Sequence, residues 1–326
     1  MSDLVTGATG FTGGHLARML AARGHRVRAL VRDRRRAADL EAAGIELVEG
    51  DLRDVASIER AVTGIDRVYH IAAMYREAGL SADTYRAVNA TAVRDLIVAA
   101  KRAGVTRVVH CSTVGVHGDV EHPPADEDAP LRPGDIYQET KLEGEQLARE
   151  AGLEHGIAVT IARPTGIYGP GDTRLLKMFR GVVRGRFPIL GSGNIYYHLT
   201  YIDDLVEGLR QCAEEPGGAG RTYILAGGEV TTLNELVAIV AEVAGVTPPS
   251  LHLPVWPVWI AGAVCEAVCA PFGIEPPLYR RRVDFFTKSR AFSIARARRE
   301  IHYAPQVGLR EGIGRTLAWY RSQGWL

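Results

Sequence analysis

Thr6-Gly-Ala-Thr-Gly-Phe-Thr-Gly13 follows a short apolar run, Leu4-Val5, and leads into a helical pattern in which Leu16, Met19 and Leu20 share one face. Gly7, Gly10 and Gly13 form GxxGxxG between a strand and a helix. Glycines there let the backbone turn tightly and come close to a ligand, and the helix start presents free N–H groups and its positive dipole end. The turn is therefore a candidate pyrophosphate cradle, with Thr9, Phe11 and Thr12 beside the glycines. A tight turn with no ligand is the plainer alternative.

Outward from this turn, short apolar runs alternate with helical patterns. Strands are expected at 27–31, 45–48, 68–73, 107–111 and 158–162, and helices at 39–43, 55–62, 88–103 and 137–151. Gly104 closes the third of these helices. This β-α-β-α rhythm predicts the α/β class: a doubly wound parallel Rossmann sheet with helices on both faces. After Arg163-Pro164 glycines and prolines become frequent. The reading is a dinucleotide-binding domain at 1–165 and a smaller mixed α/β substrate lobe at 166–326, with segments near 199–226 returning to the first domain.

The chain has 326 residues, 46% apolar and 24% charged, with a net charge of +1, so nothing in its balance pulls it toward nucleic acid or an anionic membrane. The four cysteines, Cys111, Cys212, Cys265 and Cys269, form no CxxC pair. They read as reduced thiols in a cytoplasmic protein, and no metal site is expected. The N-terminus runs directly into a strand, which leaves no room for a signal peptide.

Three further places carry chemistry. Val31 stands at the end of the second strand, where an acid would accept bonds from an adenosine ribose; Arg32 follows, with Arg34, Arg35 and Arg36 behind it. A guanidinium grips a 2′-phosphate bidentately, so NADP is favoured over NAD, the alternative being a solvated basic face. Asp51 is placed to accept the adenine amino group, and Leu52 to cover the ring. His70 reads as a core histidine, while Ala72 and Ala73 leave room for the dinucleotide.

The third place is Tyr137-Gln-Glu-Thr-Lys141, with Cys111-Ser112-Thr113 at the C-terminal end of a strand. Tyr137 and Lys141 lie one helical turn apart on one face. A free tyrosine titrates near ~10. A cation about 4 Å away at an effective dielectric of about 20 is worth roughly 4 kcal/mol, or about three pKa units. Lys141 and an oxidised nicotinamide would thus bring Tyr137 toward neutral pH as an acid–base group. A surface Tyr/Lys pair is the plainer alternative.

Together with the glycine loop, these residues make the chain similar to the extended short-chain dehydrogenases/reductases: the NAD-dependent epimerase/dehydratase family and its 3β-hydroxysteroid dehydrogenase branch. The resemblance rests on TGATGFTG, GDL at 50–52, HIAA at 70–73, STVGVHG at 112–118, YQETK at 137–141, RPTGIYGPGD at 163–172 and TYIDDLVEG at 200–208. It implies Thr113, Tyr137 and Lys141 as the catalytic set, with Lys141 also on the nicotinamide ribose. It places Pro164 to Ile167 at the nicotinamide amide and Asn89 as a support opening the helix below the site. Met74, Tyr75 and Tyr197 are candidate substrate contacts. It also implies a homodimer through the helices at 88–103 and 137–151.

A dehydratase of this family has Asp-Glu after the catalytic threonine; Val114 and Gly115 stand here. A nucleotide-sugar 4-epimerase with tightly held NAD usually has an arginine shortly before YxDD; Tyr196-Tyr-His-Leu-Thr-Tyr201 has none. The tail segments 283–292 and 297–320 look like the steroid or sterol branch. The expected function is therefore hydride transfer between NAD(P) and a secondary alcohol or ketone of a bulky apolar molecule. The 4-epimerase and a non-catalytic dinucleotide sensor are the alternatives. The apolar segment 251–272 reads either as a buried helix of the substrate lobe or as a lid over the substrate that touches a membrane surface beside Arg280-Arg-Arg282. Its uncharged core is too short for a span of about 20 residues.

Overall fold

The computed structural model describes residues 1–75, 79–272 and 280–326. Six strands alternate with helices: β1 (Ser2–Thr6), β2 (Arg26–Val31), β3 (Glu46–Glu49), β4 (Arg67–His70), β5 (Arg107–Cys111) and β6 (Ala158–Pro164). All pair in parallel, and Thr222–Leu225 joins the edge beside β6. From that strand the seven-stranded sheet runs β6, β5, β4, β1, β2, β3. Chain order reverses between β1 and β4, which opens a crevice at the C-terminal ends of the strands. Small sheets of three and two strands lie outside it, the first made of Val230–Thr232, Tyr196–Tyr201 and Gly166–Tyr168. This is the doubly wound α/β Rossmann class.

The central strands are buried on both faces because helices cover both, so they read as continuous apolar runs. One cluster holds Leu4, Val68, Leu96, Val108 and Ile161; the other holds Val5, Leu16, Leu20, Val109 and Ala162. Consecutive residues of one strand thus feed opposite layers. Leu16 and Leu20 are fully buried on the first helix, Phe11–Ala22, and Met19 packs at the margin.

Several expected boundaries move. The fourth strand stops at His70 rather than 73. The basic run forms a 3-10 turn, Arg34–Ala37, capped by Asp33. The expected helix 88–103 begins earlier: Ala82–Arg86 passes through a π-helical turn, Ala87–Thr91, into Ala92–Arg102. Asn89 therefore lies inside a continuous helix and does not open one. At this π turn the neighbouring helix comes close: a Cβ on Gly144 would collide with the Asn89 carbonyl oxygen, so the two backbones touch there.

The helix Val255–Cys269 corrects the buried-helix reading of the apolar segment. Gly262 is its one buried residue, and Trp256 is 67% exposed. Among the described residues it packs mainly on the short turns Ala270–Phe272 and Arg280–Val283. Arg280 lies over the Trp259 ring at 5.6 Å and pairs with Glu266 at 2.7 Å. The side chains of Arg281 and Arg282 lie outside the described residues. Among the described residues no helix is long and apolar enough to cross a membrane.

Candidate active site

One cavity of about 1180 Å³ occupies the crevice. Its floor is the glycine turn. Gly7 has φ +72°, and a Cβ there would meet the Ala72 nitrogen at 2.7 Å. A Cβ on Gly13 would meet the Gly7 carbonyl oxygen at 2.3 Å. Gly10 caps the helix Phe11–Ala22 with no side-chain hydrogen bond and no acid in the first turn. The first N–H groups of that helix are thus left for a ligand anion, and the cradle fits the pyrophosphate of a dinucleotide. Thr9, Phe11, Thr12, Arg32, Asp51, Leu52, Ala72, Ala73, Pro164 and Ile167 all line the same cavity.

Behind the floor, Thr6 Oγ1 shares a hydrogen bond with His70 Nδ1 at 2.8 Å and accepts one from the Ala72 N–H at 3.2 Å. His70 is a core residue, as expected. Burial, with Lys141 nearby, lowers its pKa to about 3 and keeps the ring neutral. Of the basic run, Arg34 pairs with Glu41 and Arg35 with Asp33, whereas Arg32 is exposed on the cavity with no ion pair among the described residues. The Asp51 carboxylate is held by Arg53 at 2.7 Å, which keeps it ionised at the adenosine end.

The candidate reaction centre forms where β5 ends. Thr113 caps a 3-10 turn, Val114–His117, and its Oγ1 accepts from the Gly115 N–H at 3.0 Å. A Cβ on Gly115 would stand 3.3 Å from that Oγ1 and 3.2 Å from Gln138 Nε2, so the absent side chain lets the turn close on the helix Ile136–His155. Asp135 caps this helix through the Gln138 N–H at 2.9 Å. Tyr137, in its first turn, lines the cavity, and its ring meets Tyr75 edge-on at 4.9 Å. Met74 lines the same side. Asn89 holds Met74 by both backbone groups, at 2.8 and 3.1 Å, and donates to Thr140 Oγ1 at 3.1 Å. Asn89 is therefore an internal brace between the Met74 loop and the helix of Tyr137, a support that acts from inside a helix and not from its start.

Lys141 departs from expectation. It is fully buried and does not line the cavity; its Nζ donates to the Cys111 carbonyl at 2.7 Å. Burial lowers its pKa to about 8, with Cys111 and Glu145 pulling the other way. In this structure its contribution is a buried positive charge beneath Cys111-Ser112-Thr113.

Two groups escaped the sequence reading. The first is a buried ion pair one turn beyond Lys141. Arg163 Nε and Nη2 reach the Glu145 oxygens at 2.9 and 2.6 Å, and Arg163 Nη1 reaches His117 Nε2 at 3.2 Å and the Glu127 carbonyl at 3.1 Å. One side chain thereby ties the Tyr137 helix, the Thr113 turn and the strand ending in Pro164. The second is the far wall, built by Phe187, Phe285, Phe286, Phe292, Lys288 and Arg290. Tyr197 lines the cavity too, but its hydroxyl donates to the Phe285 carbonyl, so it shapes this wall instead of offering a free donor. Trp256 and Trp259 do not line the cavity, so their helix is no lid over it. Among the described residues no group of three or more His, Cys, Asp or Glu side chains is arranged to hold a metal ion.

Residues 4–226 match the model of the NAD dependent epimerase/dehydratase family. A 2-alkyl-3-oxoalkanoate reductase of Stenotrophomonas maltophilia is 32% identical, over 98% of this chain and 99% of its own length. A 3-beta-hydroxysteroid dehydrogenase of Mycolicibacterium neoaurum is also 32% identical, over 97% and 90%. The crystal structure of the dTDP-glucose 4,6-dehydratase DesIV from Streptomyces venezuelae, with NAD bound, superposes with a TM-score of 0.77 at 28% identity, covering 100% of this chain and 98% of that one. The glycine cradle, the Thr113 turn and the Tyr137 helix thus sit in a chain matched along nearly its whole length: it belongs to the NAD dependent epimerase/dehydratase family of extended short-chain dehydrogenases/reductases.

Proposed function

We propose that this protein is an NAD(P)-dependent oxidoreductase that interconverts a secondary alcohol and a ketone on a bulky, largely apolar molecule. The observation that carries the reading is the pairing of Thr113 and Tyr137 with a wall of phenylalanines in one cavity. The sequence relatives named as acting on 3-oxoalkanoates and 3β-hydroxysteroids support it. Val114 and Gly115 after Thr113 leave no acid–base pair for dehydration.

When bound, a nicotinamide supplies or accepts hydride at its C4. Thr113 donates a hydrogen bond to the substrate oxygen and fixes its distance from Tyr137. Tyr137 gives its phenolic proton to that oxygen in reduction and takes it back in oxidation. Lys141, a positive charge in a low-dielectric setting, stabilises phenolate character on Tyr137. The aromatic wall excludes water from the reacting carbon.

The experiment is cofactor oxidation followed against apolar ketones and nucleotide sugars. Consumption of reduced cofactor with the ketones alone supports the reading; inversion of a sugar without net consumption overturns it. The buried lysine adds a pH signature. Lys141 loses its charge as pH rises through about 8. In the reducing direction kcat/KM, which reports the free enzyme, should therefore fall along an alkaline limb centred near pH 8. A flat profile from pH 7 to 9 would remove Lys141 from the account.

NADP is the proposed preference, through Arg32. Arg32→Ala should weaken NADP binding roughly 10- to 100-fold, the worth of a charge-assisted hydrogen bond, and leave NAD within about twofold. Cofactor titration followed by fluorescence reads both constants; equal losses would count against a 2′-phosphate at Arg32.

A further inference from the structure

The extended segment 288–293 is pinned along its length. Arg290 N–H donates to the Tyr196 carbonyl at 2.8 Å, Ala125 N–H to the Ala291 carbonyl at 3.0 Å, and Phe292 N–H to His198 Nδ1 at 3.3 Å. Side chains alternate along an extended chain. Lys288, Arg290 and Phe292 accordingly line the cavity, and Ser289 and Ala291 do not.

Two of the other cations at this end of the cavity are paired. Arg174 pairs with Asp172 at 2.9 Å and Lys288 with Asp284 at 3.0 Å. Lys177 stands exposed at the rim. Arg290 is half-buried among Phe285, Phe292 and Tyr197, and among the described residues it makes no ion pair. The neighbouring Tyr197 hydroxyl donates to the Phe285 carbonyl and accepts from the Arg290 side chain, a neutral partner that leaves the charge unbalanced. Taking part of a guanidinium out of water with no counter-charge has a cost, and a ligand anion at this place would offset it. A planar guanidinium also matches a carboxylate in two parallel hydrogen bonds.

We infer that Arg290 is a specificity-determining residue that holds a carboxylate on the substrate, so that the substrate is an amphiphile with an apolar body against the phenylalanine wall and an acid group at Arg290. The inference rests on the proposed apolar carbonyl substrate and narrows it. Arg290 does not act on the reacting oxygen; it sets which molecule is held and in which orientation.

The test is equilibrium binding by calorimetry to the NADP-loaded protein, which does not depend on turnover. Octanoate and methyl octanoate share a chain and differ in the charge. Wild type should bind octanoate roughly 10- to 100-fold tighter than the ester. Arg290→Ala should abolish that preference with ester binding unchanged within about twofold, and Arg290→Lys should restore part of it. Equal binding of acid and ester by wild type, or a preference that survives Arg290→Ala, would overturn the inference. Tighter Arg290-dependent binding of UDP than of octanoate would overturn it in favour of a diphosphate. If Arg290→Ala does not fold, the wild-type acid/ester ratio and Arg290→Lys still decide. Cofactor oxidation with a 3-oxo acid and its methyl ester then separates the two claims. An Arg290-dependent acid preference in binding with no turnover of either compound sinks the proposed reaction and leaves the carboxylate site standing. Turnover of both at one kcat/KM sinks the site and leaves the reaction.

Discussion

Tyr137→Phe is expected to lower kcat by at least about 10³-fold while the dissociation constant for NADP changes by less than about threefold. The substitution removes one oxygen from a side chain in the first turn of the helix Ile136–His155, and the ring keeps its edge-on contact with Tyr75 at 4.9 Å. The glycine cradle, Ala72 and Arg32 are untouched, so the dinucleotide should still bind. The phenol is the proposed proton carrier, and Thr113, whose Oγ1 accepts from the Gly115 N–H at 3.0 Å, keeps its place as the hydroxyl that orients the substrate oxygen. Single-turnover kinetics with bound cofactor would locate the loss in the chemical step. A variant with more than a tenth of wild-type kcat would mean that another group moves the proton.

The second large effect falls on stability. Arg163 and Glu145 are 2% and 1% exposed, and they meet through two hydrogen bonds of 2.9 and 2.6 Å. Burial pushes the Glu145 carboxyl up, but the Arg163 guanidinium more than cancels this, and the group ends below its ordinary pKa. Arg163→Met leaves that carboxylate in the interior with Arg149, 3.5 Å away and half-exposed, as its remaining ion-pair partner. Removing one member of a buried pair costs about 3–5 kcal/mol, a large share of the stability of an ordinary domain. Urea unfolding should show this loss in the midpoint. The double variant Glu145→Leu/Arg163→Met should recover most of it, because no charge is then buried alone. The sign with pH follows from the depressed carboxyl. The stabilisation is present above the ordinary carboxylate range and is lost as pH falls through the lowered pKa of Glu145. A single variant within 1 kcal/mol of wild type would show that water reaches this pair.

The sequence carries the fold because its strands and glycine turn announce themselves locally. A run such as Val27 to Val31 needs two covered faces, and Gly7 opens a tight turn with a positive φ; both are read from neighbours in the chain. Thr113 and Tyr137 are legible for the same reason, since a hydroxyl at a strand end and a phenol at a helix start are local patterns. What distance in the chain assembles is not legible. Arg163 and Glu145 are 18 residues apart, and nothing in either segment announces the other. The burial of Lys141 depends on the depth of its helix against β5, which spacing does not set. Arg290 illustrates a missed signal: the alternation Lys288, Arg290, Phe292 was present in the chain, but the strand Tyr196–Tyr201 that holds it lies far upstream. The segment 251–272 failed the other way. Its composition reads as core, yet among the described residues Gly262 is the one buried position of Val255–Cys269.

Net hydride transfer between a nicotinamide and a released apolar product leaves an isotopic trace. Turnover of an apolar 3-oxo substrate with NADPH carrying deuterium at C4, each face labelled in turn, followed by mass spectrometry of the isolated alcohol, reads it. One deuterium is expected at the carbinol carbon from one face alone, in equal amount to the cofactor oxidised. An unlabelled product, or an inverted nucleotide sugar formed with no net oxidation of cofactor, would contradict it.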